Sequence, residues 1–498
     1  LLVRVRPGGA VSRETRLLAT KLAGQLRDER ASESLESAFL WFGDADEEAR
    51  LAILDALQDV PADRTPWLVE RALAERQPRV LRKLVQMLSR SQAPAAVGVF
   101  AGLLGDPSRA DVETRVEASR ALATLWAVRS DPAARDALLD RGLSDPDASV
   151  RSSAAGALGI AGPDPGKSTA GLLRAVRDPD AEVRCTAARS VILLDEEHAT
   201  SNLLDRFRDD PAVFGVWKSH VVDSVRREQS PDRALAASEA LVAAGLRPLA
   251  VSLLEACADG APEAPAGRAR LREGLARLLL EEGRWEDAER AARALAAAEP
   301  RDGAARDRYE LILARALTAS GEAGRLEDAE RRLTALRAAG RLDRASDVDA
   351  AATLGDCRLR RGDVIGAIEA LAVDTRDVPE TTRRRVEGLV ADAEKRATEE
   401  RVRVVALVDG LSGARADDCR TRLSSPDYAG IAAWHLAREL ASTTDFATVR
   451  RLLVACEIVT GSPAPRLADD ATPAQVADAV AAARAALAKV PRPGRTAR

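Results

Sequence analysis

The decapeptide Gly159–Ser168, GIAGPDPGKS, ends in a string that could hold a phosphate. Ala161, four further residues and Gly166-Lys167-Ser168 form a permissive phosphate-binding loop. In such a loop backbone N–H groups cradle the phosphates, the lysine reaches them and the serine holds magnesium. Further on, Val191–Glu197 reads VILLDEE, an apolar run closed by acidic residues of the kind that hold magnesium in nucleotide hydrolases. The chemistry would be nucleotide hydrolysis, and loss of nucleotide binding in Lys167→Ala would identify it. A working loop of this kind follows a buried strand. Here Ala155–Gly159, AGALG, stands in helical register, and VILLD continues a helical pattern begun at Val183.

The other reactive side chains form no constellation. His198, His220 and His435 have no ligand partner at i+3 or i+4, and no H-E-x-x-H occurs. Residues 410–413, GLSG, lack the G-x-S-x-G spacing of a nucleophile elbow. The carboxylate pairs Asp44/Asp46 and Asp145/Asp147 sit in turns, where helix capping explains them. They lack the spacing of a calcium loop. Cys185, Cys257, Cys357, Cys419 and Cys456 are odd in number and scattered, which suits buried small side chains in a reducing, cytoplasmic setting. A periplasmic setting fits if a leader was removed before Leu1. No catalytic residue, metal ligand or cofactor is expected.

The positioning elements follow from composition and period. Of 498 residues, 46% are apolar but only 3% aromatic, with a single Met, so the core is built of Ala, Leu and Val, as in closely packed helices. The 74 basic and 78 acidic residues nearly balance, which gives no global drive toward nucleic acid or anionic membrane. No apolar run is long enough to span a bilayer. The opening LLVRVRPGG alternates like a strand without a partner, and reads either as a frayed terminus or as the last strand of an upstream domain.

Residues 144–162, SDPDASVRSSAAGALGIAG, align with 177–195, RDPDAEVRCTAARSVILLD. Asp145 matches Asp178, and Arg151 matches Arg184. The frame places a basic residue at Arg16, Arg50, Arg82, Arg115, Arg151, Arg184 and Lys218, with gaps of 34, 32, 33, 36, 33 and 34. Asp145-Pro146 reads as cap and first turn of a helix whose core face holds Val150, Ala154, Ala157 and Leu158. Each arginine is expected to pair with an aspartate of its own or a neighbouring turn, worth at most about 1 kcal/mol if exposed. The phosphate-loop string then becomes the link between two repeats, with Ser168 or Thr169 capping the next helix.

This pattern resembles HEAT repeats, in particular the short phycobilisome-lyase-like kind, over about residues 11–228. The resemblance implies an all-α solenoid of stacked helical hairpins. From about residue 230 a second unit recurs, with Gly245, Gly283, Gly324 and Gly362 and the small Ala250, Ala288, Ala329 and Ala367. Gly283, Trp285, Ala288 and Pro300 resemble tetratricopeptide repeats, though the period is longer and Ser320–Gly324 looks inserted. The resemblance implies that first helices line the groove there. The expected division is 1–10 terminus, 11–230 HEAT-like, 231–378 tetratricopeptide-like, 379–490 helical hairpins with a cap capped by Thr472, and 491–498 tail.

What remains for function is surface. Position five after the repeating basic residue reads Lys21, Asp55, Met87, Arg120, Gly156, Arg189 and Asp223. With Lys83 and Arg90 this gives a mildly basic exposed line, although residues 1–230 carry 32 basic and 35 acidic residues, a net of −3. Arg268, Arg270, Arg272 and Arg277 cluster in the second array opposite Glu273. The reading is a non-enzymatic scaffold or adaptor holding a protein or peptide partner, possibly acidic, in its groove. The alternatives are a nucleic-acid-binding solenoid and the regulatory region of a larger enzyme. Two aspartates among seven positions argue against nucleic acid.

Overall fold

The computed structural model describes residues 11–27, 29–43, 46–160, 165–228, 230–259, 265–298 and 303–491. The strand or frayed terminus expected at 1–10, Asp44 of the first carboxylate pair, and the tail beyond Pro491 lie outside the described residues. The fold is an all-α solenoid, with no strand among the described residues. The chain divides into two compact units, Leu1–Ala261 and Pro262–Arg498.

Unit 1 runs α1 (Arg13–Leu26), α2 (Ser32–Phe42), α3 (Glu47–Asp59), α4 (Thr65–Ala74), α5 (Pro78–Ser91), α6 (Val97–Leu103), α7 (Val112–Arg129) and α8 (Pro132–Ala137). It continues with α9 (Ala148–Leu158), α10 (Pro165–Ala175), α11 (Ala181–Leu194), α12 (Ala199–Phe207), α13 (Pro211–Glu228), α14 (Asp232–Ala243) and α15 (Arg247–Asp259). The odd-numbered helices α1 to α13 carry the repeating basic residue and stack directly on one another, while the helices between them touch one another little. The basic-residue helices thus form one stacked layer, here called the inner layer of the unit. The longest spacing, 36 residues from Arg115 to Arg151, contains a π turn at Leu138–Gly142, where Leu143 N–H donates to Leu138 O at 2.9 Å. A π turn takes up one of the three extra residues of this spacing within a helix.

The two aspartates of each Asp-Pro-Asp turn divide the work, which corrects the assignment of Asp145 as a helix cap. The helix caps are Asp147, accepting from Ser149 N–H, and Asp180, accepting from Glu182 and Val183 N–H. Asp145 and Asp178 instead receive the arginine of the preceding repeat. Arg115 donates Nε–H and Nη2–H to Asp145 at 2.9 and 3.0 Å, and Arg151 does the same to Asp178 at 2.8 and 2.9 Å. Arg184 reaches Asp210, Arg82 reaches Asp111, and Arg50 reaches Glu75, which stands where no Asp-Pro-Asp exists. The spare guanidinium N–H groups cap the arginine's own turn, as Arg151 Nη1 does on Asp145 O and Pro146 O. Lys218, the last of the series, donates to Ser252 Oγ at 3.2 Å instead.

The rungs range from half-exposed, as Arg82–Asp111 at 33% and 35%, to fully buried. Arg115 and Asp145 are 3% and 0% exposed, against 64% and 57% for the ordinary surface pair Arg177–Asp205. Burial acts to raise the Asp178 carboxyl, but the Arg151 guanidinium and the Asp180 N–H outweigh it and hold it below its ordinary value. The same balance lowers Asp210, through Arg184 and the Val213 and Ala212 N–H groups. A carboxyl depressed in the folded state contributes stability that is complete above its unfolded pKa, about 3.9, and is lost as pH falls through the folded value. The double variant Asp178→Asn/Asp210→Asn is therefore expected to be less stable than the parent at pH 7, with the deficit closing below about pH 3. Urea titrations across pH check this, and a deficit constant with pH would overturn it.

Unit 2 runs α16 (Pro265–Glu281), α17 (Trp285–Ala298), α18 (Ala304–Ser320), α19 (Ala323–Ala339), α20 (Arg344–Arg360), α21 (Val364–Leu371), α22 (Glu380–Gly410), α23 (Ala416–Ser424), α24 (Pro426–Ser442), α25 (Phe446–Thr460) and α26 (Pro473–Leu487). Gly245 of unit 1 and Gly283 and Gly362 of unit 2 take positive φ after their helices, as turn glycines do. The glycine of the third turn is Gly321 at φ 72°, not Gly324, which lies within α19. From Gly321 the small Ala329 is eight residues on, against five from Gly283 to Ala288 and from Gly362 to Ala367. α26 closes the chain with a capping box between Thr472 and Gln475 and with Pro473 in its first turn. Its exposed residues are Gln475, Asp478 and Arg484 together with Pro473 and five alanines.

Candidate protein-binding faces

On the inner layer of unit 1, Lys21, Asp55, Arg120, Gly156, Arg189 and Asp223 are exposed as expected. Met87 is not; it is 8% exposed. It stands two helical turns after the buried Val80, and α5 has apolar residues where the neighbouring helices have acidic ones, as at Glu48 and Glu113. Lys83 is paired with Asp55 of the preceding second helix and adds no net charge. Arg120 has Glu117 at 3.9 Å. Lys21, Arg90 and Arg189 make no ion pair among the described residues. The basic line thus comes apart into separate cations at Lys21, Arg120 and Arg189, spaced by neutral and acidic positions.

In unit 2 the contacts reverse. The first helices α16, α18, α20 and α22 stack on one another and form the inner layer. Arg272 is exposed on α16 and Arg268 half-buried. Glu273 takes Arg277 at 2.6 Å and Arg308 of α18 at 3.6 Å. Asp349 of α20 is shared by Arg315 of α18 at 3.4 Å and Arg385 of α22 at 2.6 Å, and Arg385 also donates to Thr353 Oγ1. Burial pushes the Arg385 guanidinium below its ordinary pKa, Asp349 pulls it back, and the like charge of Arg315 adds to the depression. Arg277 and Arg308 thus share Glu273, and Arg315 and Arg385 share Asp349, with Asp356 also acting on Arg385. Arg315, Asp349 and Arg385 escape the sequence reading because the third turn is misplaced. With that turn at Gly321, Arg277 and Arg315 both fall six residues before the turn glycine.

The HEAT-repeat family model matches residues 65–159 and 137–214. This stretch is built of HEAT repeats. The rungs from Arg82 to Asp210 are therefore contacts between successive HEAT repeats. Among solved structures the chain is similar to the Cut9–Hcn1 hetero-tetramer of APC/C, with 13% identity over 89% of this chain and 96% of that chain, at a TM-score of 0.28. It is also similar to an engineered protein, with 16% identity over 98% of each chain at a TM-score of 0.19. A third likeness is to the UNC-45 chaperone, molecular features of which are described as critical for binding and folding muscle myosin, with 12% identity over 95% of this chain at a TM-score of 0.24. The chain spans 60% of that protein's length. A search of curated proteins returns no match.

The HEAT repeats account for both strings that suggested nucleotide chemistry. Gly166, Lys167 and Ser168 lie in the first turn of α10, which begins at Pro165, so neither Ser168 nor Thr169 is its cap. Ser168 is buried and its hydroxyl makes no hydrogen bond. Ala161–Asp164 lie outside the described residues. VILLDEE is the end of α11 and the turn after it. Asp195 receives His198 Nδ1 at 2.9 Å and Asn202. Glu196 receives His220 at 2.9 Å and Arg233 at 2.5 Å. Both carboxylates are engaged in joining helices.

Beyond the HEAT repeats, a cavity of about 480 Å³ in unit 2 lies between α22 and α24. Arg438 stacks over the Trp434 ring there at 4.5 Å, and Arg401 is paired with Glu439. His435 is buried, 3.4 Å from Glu400. Among the described residues no three His, Cys, Asp or Glu side chains gather as metal ligands. All five cysteines are free. Burial pushes the Cys257 and Cys357 thiols up to about 11 and Cys456 to about 12, so they are protonated at neutral pH. No helix of the described residues is long and apolar enough to cross a membrane.

Proposed function

We propose that the chain is a protein-binding scaffold without a catalytic step of its own, and that unit 2 holds an acidic segment of its partner on the layer of first helices. The observation that carries this is Asp349 shared between two arginines, Arg315 and Arg385, so that one carboxylate is divided between two half-buried guanidinium groups on a stacked face. A guanidinium so placed binds a carboxylate in fork geometry. The HEAT repeats supply a frame that leaves long faces open, which is what helical arrays offer to partners. The resemblance of residues 231–378 to tetratricopeptide repeats supports the same use of the first helices. So do the phycobilisome-lyase-like details of residues 11–230, as one more repeat array built for surface. Free thiols support a reducing compartment.

Fluorescence anisotropy with labelled polyglutamate, polylysine and a DNA duplex tests the reading. Polyglutamate is expected to bind and polylysine is not. Arg272→Glu/Arg315→Ala is expected to weaken polyglutamate about tenfold, about 1.4 kcal/mol. Arg120→Glu/Arg189→Glu in unit 1 is expected to change little. If polyglutamate fails to bind, or the unit 2 variant binds it unchanged, the acidic-partner reading falls. Tighter binding of the duplex would favour nucleic acid.

A further inference from the structure

Two of the apolar clusters of unit 2 share the long helix α22. The first, with Ala352, Leu371 and Val386, reaches along α22 as far as Ala393. The second, with Leu436, Leu453 and Leu487, begins on α22 at Val404. Between Ala393 and Val404 the one buried residue of α22 is Ala397. The cavity of about 480 Å³ between α22 and α24 lies at this gap, and Ile368 of α21 also lines it. All three helices fall in the stretch 303–491, which is described throughout. A volume of this order suits a small molecule, and such sites favour the junctions between packed bodies.

The charges around the cavity leave one of each sign over. Arg401 of α22 pairs with Glu439 of α24, and Glu400 stands 3.4 Å from the buried His435. The carboxylate next in sequence to Arg438 is therefore taken by the opposite helix. Arg438 stacks on the Trp434 ring, 4.5 Å from its centroid, and makes no ion pair among the described residues. A guanidinium stacked on an indole is positioned with its fork of N–H donors still available to a carboxylate. The other polar groups offer acceptors. Glu394 of α22 also lines the cavity and makes no ion pair among the described residues. Thr398 Oγ1 donates to Glu394 O at 2.8 Å, and Ser442 Oγ donates to Glu439 O at 3.2 Å. Each hydroxyl has its hydrogen engaged and can only accept from a ligand. Ile368, Ala397 and the indole supply apolar contact.

We propose that this cavity binds a zwitterion of amino-acid or dipeptide size with an apolar side chain, its carboxylate on Arg438 and its ammonium group on Glu394. A simple anion would be set beside the Glu394 carboxylate, and a simple cation beside the Arg438 guanidinium. A molecule carrying both charges answers both. The bound ligand touches α22 and α24 together, across the gap between the two apolar clusters, and so stabilises the folded unit in proportion to its concentration.

Isothermal titration calorimetry of the full chain with leucyl-phenylalanine and with free phenylalanine tests the proposal. At least one is expected to bind saturably, one molecule per chain, and which of them binds more tightly fixes the length of the ligand. N-acetylation removes the ammonium charge and C-terminal amidation removes the carboxylate. Each is expected to weaken the better ligand about tenfold. Glu394→Gln is expected to weaken the parent ligand to the same degree and to leave the acetylated form unaffected. Arg438→Gln is expected to do the same for the parent ligand and the amidated form. Both side chains are exposed, so the helical circular-dichroism spectrum is expected to be unchanged in each variant. The proposal is overturned if neither compound binds. It is also overturned if either variant binds the parent ligand as the wild type does, or if either blocked form binds as tightly as its parent.

Discussion

In Asp145→Ala, unit 1 is expected to lose about 3–5 kcal/mol of stability, the usual cost of removing one partner from a buried ion pair. Asp145 is fully buried and accepts four hydrogen bonds, from Arg115 Nε and Nη2 and from the backbone N–H groups of Gly105 and Asp147. The substitution leaves the Arg115 guanidinium, 3% exposed, without its counter-charge. It also leaves two N–H groups without an acceptor. Urea denaturation followed by far-ultraviolet circular dichroism reads the loss. The control is Asp205→Ala, whose pair with Arg177 lies in solvent and whose removal is expected to cost at most about 1 kcal/mol. Replacing both buried partners, as Arg115→Met/Asp145→Leu, is expected to recover most of the stability, because two well-packed apolar groups leave no orphaned charge. Equal losses at Asp145 and Asp205 would mean that the rungs are no more than surface pairs.

Gly159→Val is expected to destabilise unit 1 by about 1–3 kcal/mol through overpacking. Its backbone φ of −72° suits any residue, so the glycine is present for space and not for conformation. A Cβ there would lie 2.6 Å from the Ser190 Cβ and 3.0 Å from its Cα, at the crossing of α9 and α11. Neither helix has a flexible side chain to move aside. Ser190→Gly in the same chain removes the nearest atoms and is expected to return at least half of the loss, despite the poorer helix propensity of glycine. Thermal melts of the two single variants and the double variant give the coupling. Additive losses would show that the two positions do not meet.

The repeat is legible in the sequence because its buried residues recur at a fixed spacing. Val150, Ala154, Ala157 and Leu158, placed on one face by helical period, are all buried. The arginine-to-aspartate pairing is legible too, since both members recur. Which aspartate of the Asp-Pro-Asp turn does which task is not. Asp145 and Asp147 are chemically identical, and only the entry angle of α9 decides that one meets the guanidinium while the other meets the helix N–H groups. Gly321 and Gly324 pose the same difficulty. Either could end a helix, and the decision rests on where α18 stops packing against α19. Met87 shows a third limit, because its burial follows from the apolar width of α5 and not from its place in the repeat. Glu196 of VILLDEE looked like a magnesium ligand because its partners, His220 and Arg233, lie on helices that come later in the chain.

The rungs between repeats all point the same way along the chain. Each arginine finds its carboxylate downstream, 25 residues on for Arg50, 29 for Arg82, 30 for Arg115, 27 for Arg151 and 26 for Arg184. A ribosome therefore always delivers the cation first. While the array is being made, its growing end holds one helix whose guanidinium still faces water, and that helix cannot close until the next turn emerges. Packing is completed one repeat behind synthesis. The two ends of any fragment differ in kind: its downstream end keeps an arginine without its carboxylate, and its upstream end keeps a carboxylate without its arginine.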